Sequence, residues 1–111
     1  MSDVQDKTLS IVLTGQSGRE YRYWIYELPP TFGDAPGNYA FAKRTTSGKW
    51  AIIYIGETEN LSDRFDNHHA MPCAKRQGAT HIFAHKTEGG KSERVTEETD
   101  LVRKYSPPCN K

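Results

Sequence analysis

The sequence predicts a single α+β domain, on three observations. Runs rich in β-branched and aromatic residues, bounded by Gly, Pro, Asn and Asp, come in pairs, as hairpins require. A helical apolar period follows near the C-terminus and is stopped by Pro107-Pro108. The chain has 111 residues, enough for one core but not for two.

The elements follow in order. Met1 to Lys7 is a polar, frayed tail without a signal-peptide pattern. Leu9 to Thr14 and Glu20 to Leu28 flank the turn signal Gly15-Gln16-Ser17-Gly18 and form a hairpin. In its second arm Tyr21, Tyr23 and Ile25 point one way, and Arg22, Trp24 and Tyr26 the other. Pro29-Pro30 stops that arm, and a loop runs to Pro36. Residues 1–36 are therefore read as tail, hairpin extension and loop, and 37–111 as the main unit of one structural domain.

Gly37 to Arg44 and Trp50 to Gly56 read as strands joined by the loop Thr45-Thr46-Ser47-Gly48. With Arg44 opposite Lys49, Tyr39 falls opposite Tyr54, and the two share a face. Asn60 caps a helix running to about His69, with Asp63 at the third helical position. Leu61 and Phe65 form its packing stripe, and Arg64 and His68 lie one turn apart on an adjoining face. Pro72 opens a short helix that Gly78 ends. Thr80 to His85 is a third central strand. The last helix runs from about Ser92 to Tyr105, with Val95, Glu98, Leu101, Val102 and Tyr105 on its inward stripe. Glu97 and Asp100 are expected to face elsewhere. A carboxylate facing inward, as Glu98 does in this reading, calls for a partner or a metal.

Composition narrows the function. Fifteen Lys and Arg stand against 14 Asp and Glu, a net charge of +1. That excludes a strongly basic nucleic-acid binder, so any grip on phosphate must be local or metal-assisted. No apolar run approaches the roughly 20 residues needed to span a bilayer, so no membrane role is expected. Two cysteines, Cys73 and Cys109, are too few for a disulfide framework, and they are read as free thiols in the cytoplasm.

Tyr39, Tyr54, Arg64, His68 and Glu98 converge if the helices cover the face carrying the tyrosines. Phosphodiester hydrolysis needs such a set: a base for the attacking water, a cation for the phosphoryl oxygens, and a carboxylate for a hard divalent metal. Gly37-Asn38-Tyr39 followed by Tyr54-Ile55-Gly56 resembles the signature pair of the GIY-YIG nucleases. The resemblance continues through Thr58, Asn60-Leu61, Arg64 and His68, and ends on the stretch from Glu98 to Asn110. Arg64 stands ten residues after Tyr54, His68 four further on, and Asn110 twelve after Glu98. The ordered series is specific where each piece alone is weak.

The resemblance implies a small three-stranded antiparallel sheet flanked by helices, to which the N-terminal hairpin is an extra. It also implies endonucleolytic cleavage of DNA with one Mg²⁺ or Mn²⁺. By position Glu98 is the metal ligand, Arg64 contacts the scissile phosphate, and Tyr39 or Tyr54 serves the water. His68 is a further base candidate, and Asn110 supports the site by hydrogen bonds. Asn38 stands where the family has an apolar residue, a change expected to alter only packing. Glu57 stands where relatives often carry a lysine, a role Lys43 is placed to take. Lys43, Arg44 and Lys49 are candidate phosphate or DNA contacts. The alternative reading is a non-catalytic nucleic-acid-binding or protein-interaction module. Under either, the exposed aromatics Trp24 and Tyr26 of the hairpin suit self-association or docking of a partner protein.

Overall fold

Five strands form one curled antiparallel sheet in the computed structural model, which describes residues 9–28, 32–62 and 68–110. They are β1 (Ser10–Thr14), β2 (Glu20–Glu27), β3 (Gly37–Arg44), β4 (Trp50–Thr58) and β5 (His81–Lys86), in spatial order β1-β2-β5-β3-β4. Two helices, α1 (Met71–Arg76) and α2 (Lys91–Tyr105), and a 3-10 turn at Pro108–Asn110 complete the described elements. Among the described residues no helix is long and apolar enough to cross a membrane.

The expected three-stranded sheet flanked by helices, with an appended hairpin, is corrected. β2 pairs with β5 from Trp24↔Ala84 to Glu27↔His81, so the hairpin is part of the sheet. The physical reason is that a two-stranded ribbon is marginal alone, and β5 otherwise presents an unpaired edge. Strand outweighs helix among the described residues as a result.

Alternation sorts the side chains. One face collects Tyr39, Phe41, Tyr54, Ile82 and Ala84 against Met71 and Ala74 of α1. The other collects Tyr21, Tyr23, Ala40, Ile55 and Phe83 against Leu101 of α2. In β2 Tyr21 and Tyr23 are buried while Arg22, Trp24 and Tyr26 are exposed.

The β3–β4 register also differs from expectation. Arg44 pairs with Trp50, not Lys49, because the loop closes through Thr45 N–H on the Lys49 carbonyl at 2.7 Å. A β-bulge then inserts Ile53, so that Phe41 pairs with Tyr54 and Tyr39 with Gly56. The total slip is two positions, an even number, which keeps both tyrosines on one face.

In α2 Leu101, Val102 and Tyr105 pack on the core as expected, but Arg94 and Glu97 are buried where Val95 and Glu98 were expected; Val95 is exposed and Glu98 half-buried. Glu97 faces in because polar partners wait there: Tyr23 Oη donates to its carboxylate at 2.5 Å and His85 Nε2 lies at 2.6 Å. Asp100 is engaged too, accepting from Ser17 N–H, Ser17 Oγ and Tyr21 Oη. A Cβ at Gly15 would lie 2.0 Å from the Asp100 carboxylate, so glycine is what lets the β1–β2 turn seat on α2.

The helix expected from Asn60 to His69 falls largely on 63–67, outside the described residues. At its start Asn60 Oδ1 accepts from Ser62 N–H in a turn. Cys73 and Cys109 form a disulfide that ties α1 to the C-terminal 3-10 turn, so the reading of free thiols is corrected. Spacing in sequence, 36 residues, hid a Cα separation of 5.9 Å.

Candidate active site

Gly56 stands directly opposite Tyr39, and a Cβ there would lie 2.6 Å from the Tyr39 hydroxyl and 2.9 Å from the Tyr54 ring. Its role is to leave room for both rings, whose centroids are 6.1 Å apart. Tyr39 is 2% exposed and Tyr54 8%. His68 stands edge-on to both, with centroids 5.5 Å from Tyr39 and 5.3 Å from Tyr54.

The hydrogen bonds have a direction. His68 Nδ1 accepts from Ala70 N–H at 3.0 Å. The proton of the neutral ring therefore belongs on Nε2, which faces the Tyr39 hydroxyl within hydrogen-bonding distance. Burial, with the charge of His69 beside it, pushes the His68 pKa down to about 4 and keeps the ring neutral. The Tyr39 and Tyr54 side chains interact, and this lowers the Tyr54 pKa while raising that of Tyr39. Burial raises both tyrosines above their ordinary range, and Tyr39 far more. His69 Nε2 lies 3.3 Å from the Tyr54 hydroxyl.

Glu98 is half-buried on α2, and its negative charge raises the pKa of Tyr54 and of Tyr39. Its own carboxyl is pushed up by burial and then by the charge of Glu57. Among the described residues Glu98 makes no hydrogen bond and no ion pair. Glu57 is differently placed. Lys91 Nζ and Arg94 Nε each reach it at 2.9 Å, and these bonds outweigh burial to lower its pKa. The residue in the expected lysine position is thus an acid neutralised by two cations of α2.

Asn110 closes the outer edge of the sheet. Its Oδ1 accepts from Ile55 N–H and its Nδ2 donates to the Ile55 carbonyl, both at 2.8 Å. Ile55 lies between Tyr54 and Gly56, so this clamp fixes the backbone that carries the site. The disulfide at the preceding Cys109 holds the clamp to α1.

The basic candidates are less central. Arg44 donates to the Gly48 carbonyl at 2.6 Å and stacks 4.2 Å from the Trp50 ring centroid, so it braces its own hairpin. Lys49 is exposed in that loop, and Lys43 lies alongside Gly78. Arg64 lies outside the described residues.

Sequence reasoning missed two polar arrangements on the opposite face. Tyr23, His85 and Glu97 form one; only the inward direction of Tyr23 pointed to it. The other is built on Asn38, fully buried, which donates to the Arg94 carbonyl (3.0 Å) and accepts from Thr87 Oγ (2.7 Å). Asn38 is therefore more than a packing change: it anchors α2, and with it Glu98, to β3.

A metal held by this site would have one protein carboxylate. Among the described residues no three His, Cys, Asp or Glu groups gather as a cage. Glu98 nevertheless fits a single-ligand role: it is half-buried, unpaired and repelled by Glu57, and Mg²⁺ commonly keeps most of its waters. Compared with protein-family models, curated proteins and solved structures, the chain matches none.

Proposed function

We propose that this chain is a metal-dependent endonuclease hydrolysing DNA phosphodiester bonds. The observation that carries the reading is the packed cluster of His68, Tyr39 and Tyr54, with His68 bonded to the Tyr39 hydroxyl, lying in the field of Glu98. The GIY-YIG-like order of these residues in the sequence supports it.

Tyr54 is the base in this reading. It is the less buried tyrosine, and the Tyr39 hydroxyl stabilises its phenolate. Tyr39 is then a donor held in place by His68, and His68 itself is committed through both ring nitrogens. Tyr54, protonated at rest because its pKa is raised, first gives its proton to solvent; water oxygen then forms a bond to phosphorus, its proton passes to the Tyr54 phenolate, and the phosphorus–oxygen bond to the leaving group breaks. The leaving oxygen takes a proton from solvent. Arg64, by its place in the sequence, supplies positive charge to the phosphoryl oxygens. Glu98 would hold Mg²⁺ or Mn²⁺, which when bound supplies charge compensation at the phosphate and the leaving oxygen.

The near-complete burial of Tyr39 favours a second reading, a non-catalytic nucleic-acid-binding module on the same scaffold. Nicking of supercoiled plasmid with Mg²⁺ or Mn²⁺, by wild type and by Glu98→Ala, separates the two. Nicking by wild type alone supports the nuclease. DNA binding without nicking by either protein supports the module. Equal nicking by both would remove Glu98 from the site.

A further inference from the structure

A cleft of about 640 Å³ opens beside the tyrosines on the same sheet face. Its walls are Trp24, Tyr26 and Phe32, its cations Arg22 and Lys86, and its floor includes Ala84. Trp24 and Tyr26 are 39% and 38% exposed, and Phe32 meets Tyr26 edge-on at 4.8 Å. The pairing ties this cleft to the site. Trp24 pairs with Ala84 and Ala84 with Tyr39, so the three form one row across neighbouring strands. Tyr26, Ile82, Phe41 and Tyr54 form the next row. Trp24 is thus about 10 Å, two strand spacings, from Tyr39, with a small alanine between them.

We infer that this cleft takes an unpaired nucleobase of the strand being cut, so that the substrate is DNA with a single-stranded or unstacked segment at the scissile phosphate. The inference rests on the nuclease reading for the strand's identity, and its contacts are independent of catalysis. Flat aromatic walls suit the face of a base, which stacks on such side chains without regard to sequence. Arg22 and Lys86 carry two positive charges at the rim against the single charge of Asp34. Asp34 is itself bonded to Ser62 Oγ at 2.5 Å. That balance complements a phosphate backbone more than an acidic or an apolar peptide. A base paired inside a duplex does not present its face, so the cleft discriminates against intact duplex.

The test measures binding of a fluorescein-labelled single-stranded oligothymidylate and of a blunt duplex of equal length, in EDTA, by the full chain. Wild type is compared with Trp24→Ala and Tyr26→Ala. Stronger binding of the single strand, quenching of tryptophan fluorescence, and at least about tenfold weaker binding by Trp24→Ala with an unchanged melting temperature support the inference. Equal single-strand affinity in wild type and both aromatic variants overturns it. So does dimerisation through this face that the oligonucleotide does not displace. If wild type nicks plasmid and Trp24→Ala binds and nicks equally, the cleft fails and the nuclease stands. If Trp24→Ala loses binding while wild type cuts neither plasmid nor a flapped duplex, the cleft stands and the nuclease fails.

Discussion

Tyr39 and Tyr54 share a sheet face only because Ile53 is bulged out of the β3–β4 register. With Arg44 opposite Trp50, an unbroken ladder would set Tyr39 opposite Ile55 and turn Tyr54 to the other face. The extra residue restores the parity, and Gly56 then leaves room for the rings.

Gly56→Ala should therefore damage both fold and site. A methyl 2.6 Å from the Tyr39 hydroxyl must displace that ring. Chemical denaturation should show a loss of about 1–3 kcal/mol, as overpacking does. Plasmid nicking should fall to background.

The two tyrosines should separate in kinetics. Tyr54→Phe removes the proposed base and should lower kcat by about 10²–10⁴-fold. Tyr39→Phe removes the interaction that stabilises the Tyr54 phenolate, worth about 1.5–3 kcal/mol, and should lower kcat roughly 10- to 100-fold. Equal effects would count against this assignment of roles.

His68 makes stability fall in mild acid. Its folded pKa is lowered from 6.5 to about 4, so between those values the unfolded chain binds more protons. Stability from the neutral ring is complete above 6.5 and is lost as pH falls toward 4. Melting temperatures from pH 7 to pH 4 should drop more steeply in wild type than in His68→Gln, which has no such titration.

Glu98 has the opposite sign. Its folded pKa is raised, so its ionisation opposes folding as pH rises through the carboxylate range. Glu98→Gln should raise the melting temperature at pH 7 in EDTA. The same variant should lose any Mg²⁺-dependent rise in melting temperature, and nicking should fall at least about a thousandfold. A Mg²⁺ shift unchanged by the substitution would place the metal elsewhere.

Reduction of Cys73–Cys109 should destabilise the chain by about 3–4 kcal/mol, the loop-closure value for its span. Because Cys109 adjoins the Asn110 clamp, nicking should fall before the chain unfolds. Cys73→Ser with Cys109→Ser, measured by thermal melting and nicking, should reproduce both effects.

Local signals were legible in the sequence. Turn residues placed Gly15–Gly18 and Thr45–Gly48 between strands, and Pro72, Gly78 and Pro107 bounded the two helices. The alternation of β2 placed Trp24 and Tyr26 outside. These depend on backbone freedom and on a period of two, which a short stretch of sequence carries by itself.

What joins distant segments was not legible. The docking of β2 on β5, the bulge at Ile53, the Cys73–Cys109 bond and the turning inward of Glu97 all came from tertiary structure. Each depends on which partner lies across space. Glu97 and Glu98 are adjacent and chemically alike, and only Tyr23 and His85 decide which is buried. The sequence by itself determined the residue types of the candidate site and their order. The tertiary structure decided their face, their partners and the direction of their hydrogen bonds, because register and long-range pairing are set by the sum of contacts across the sheet.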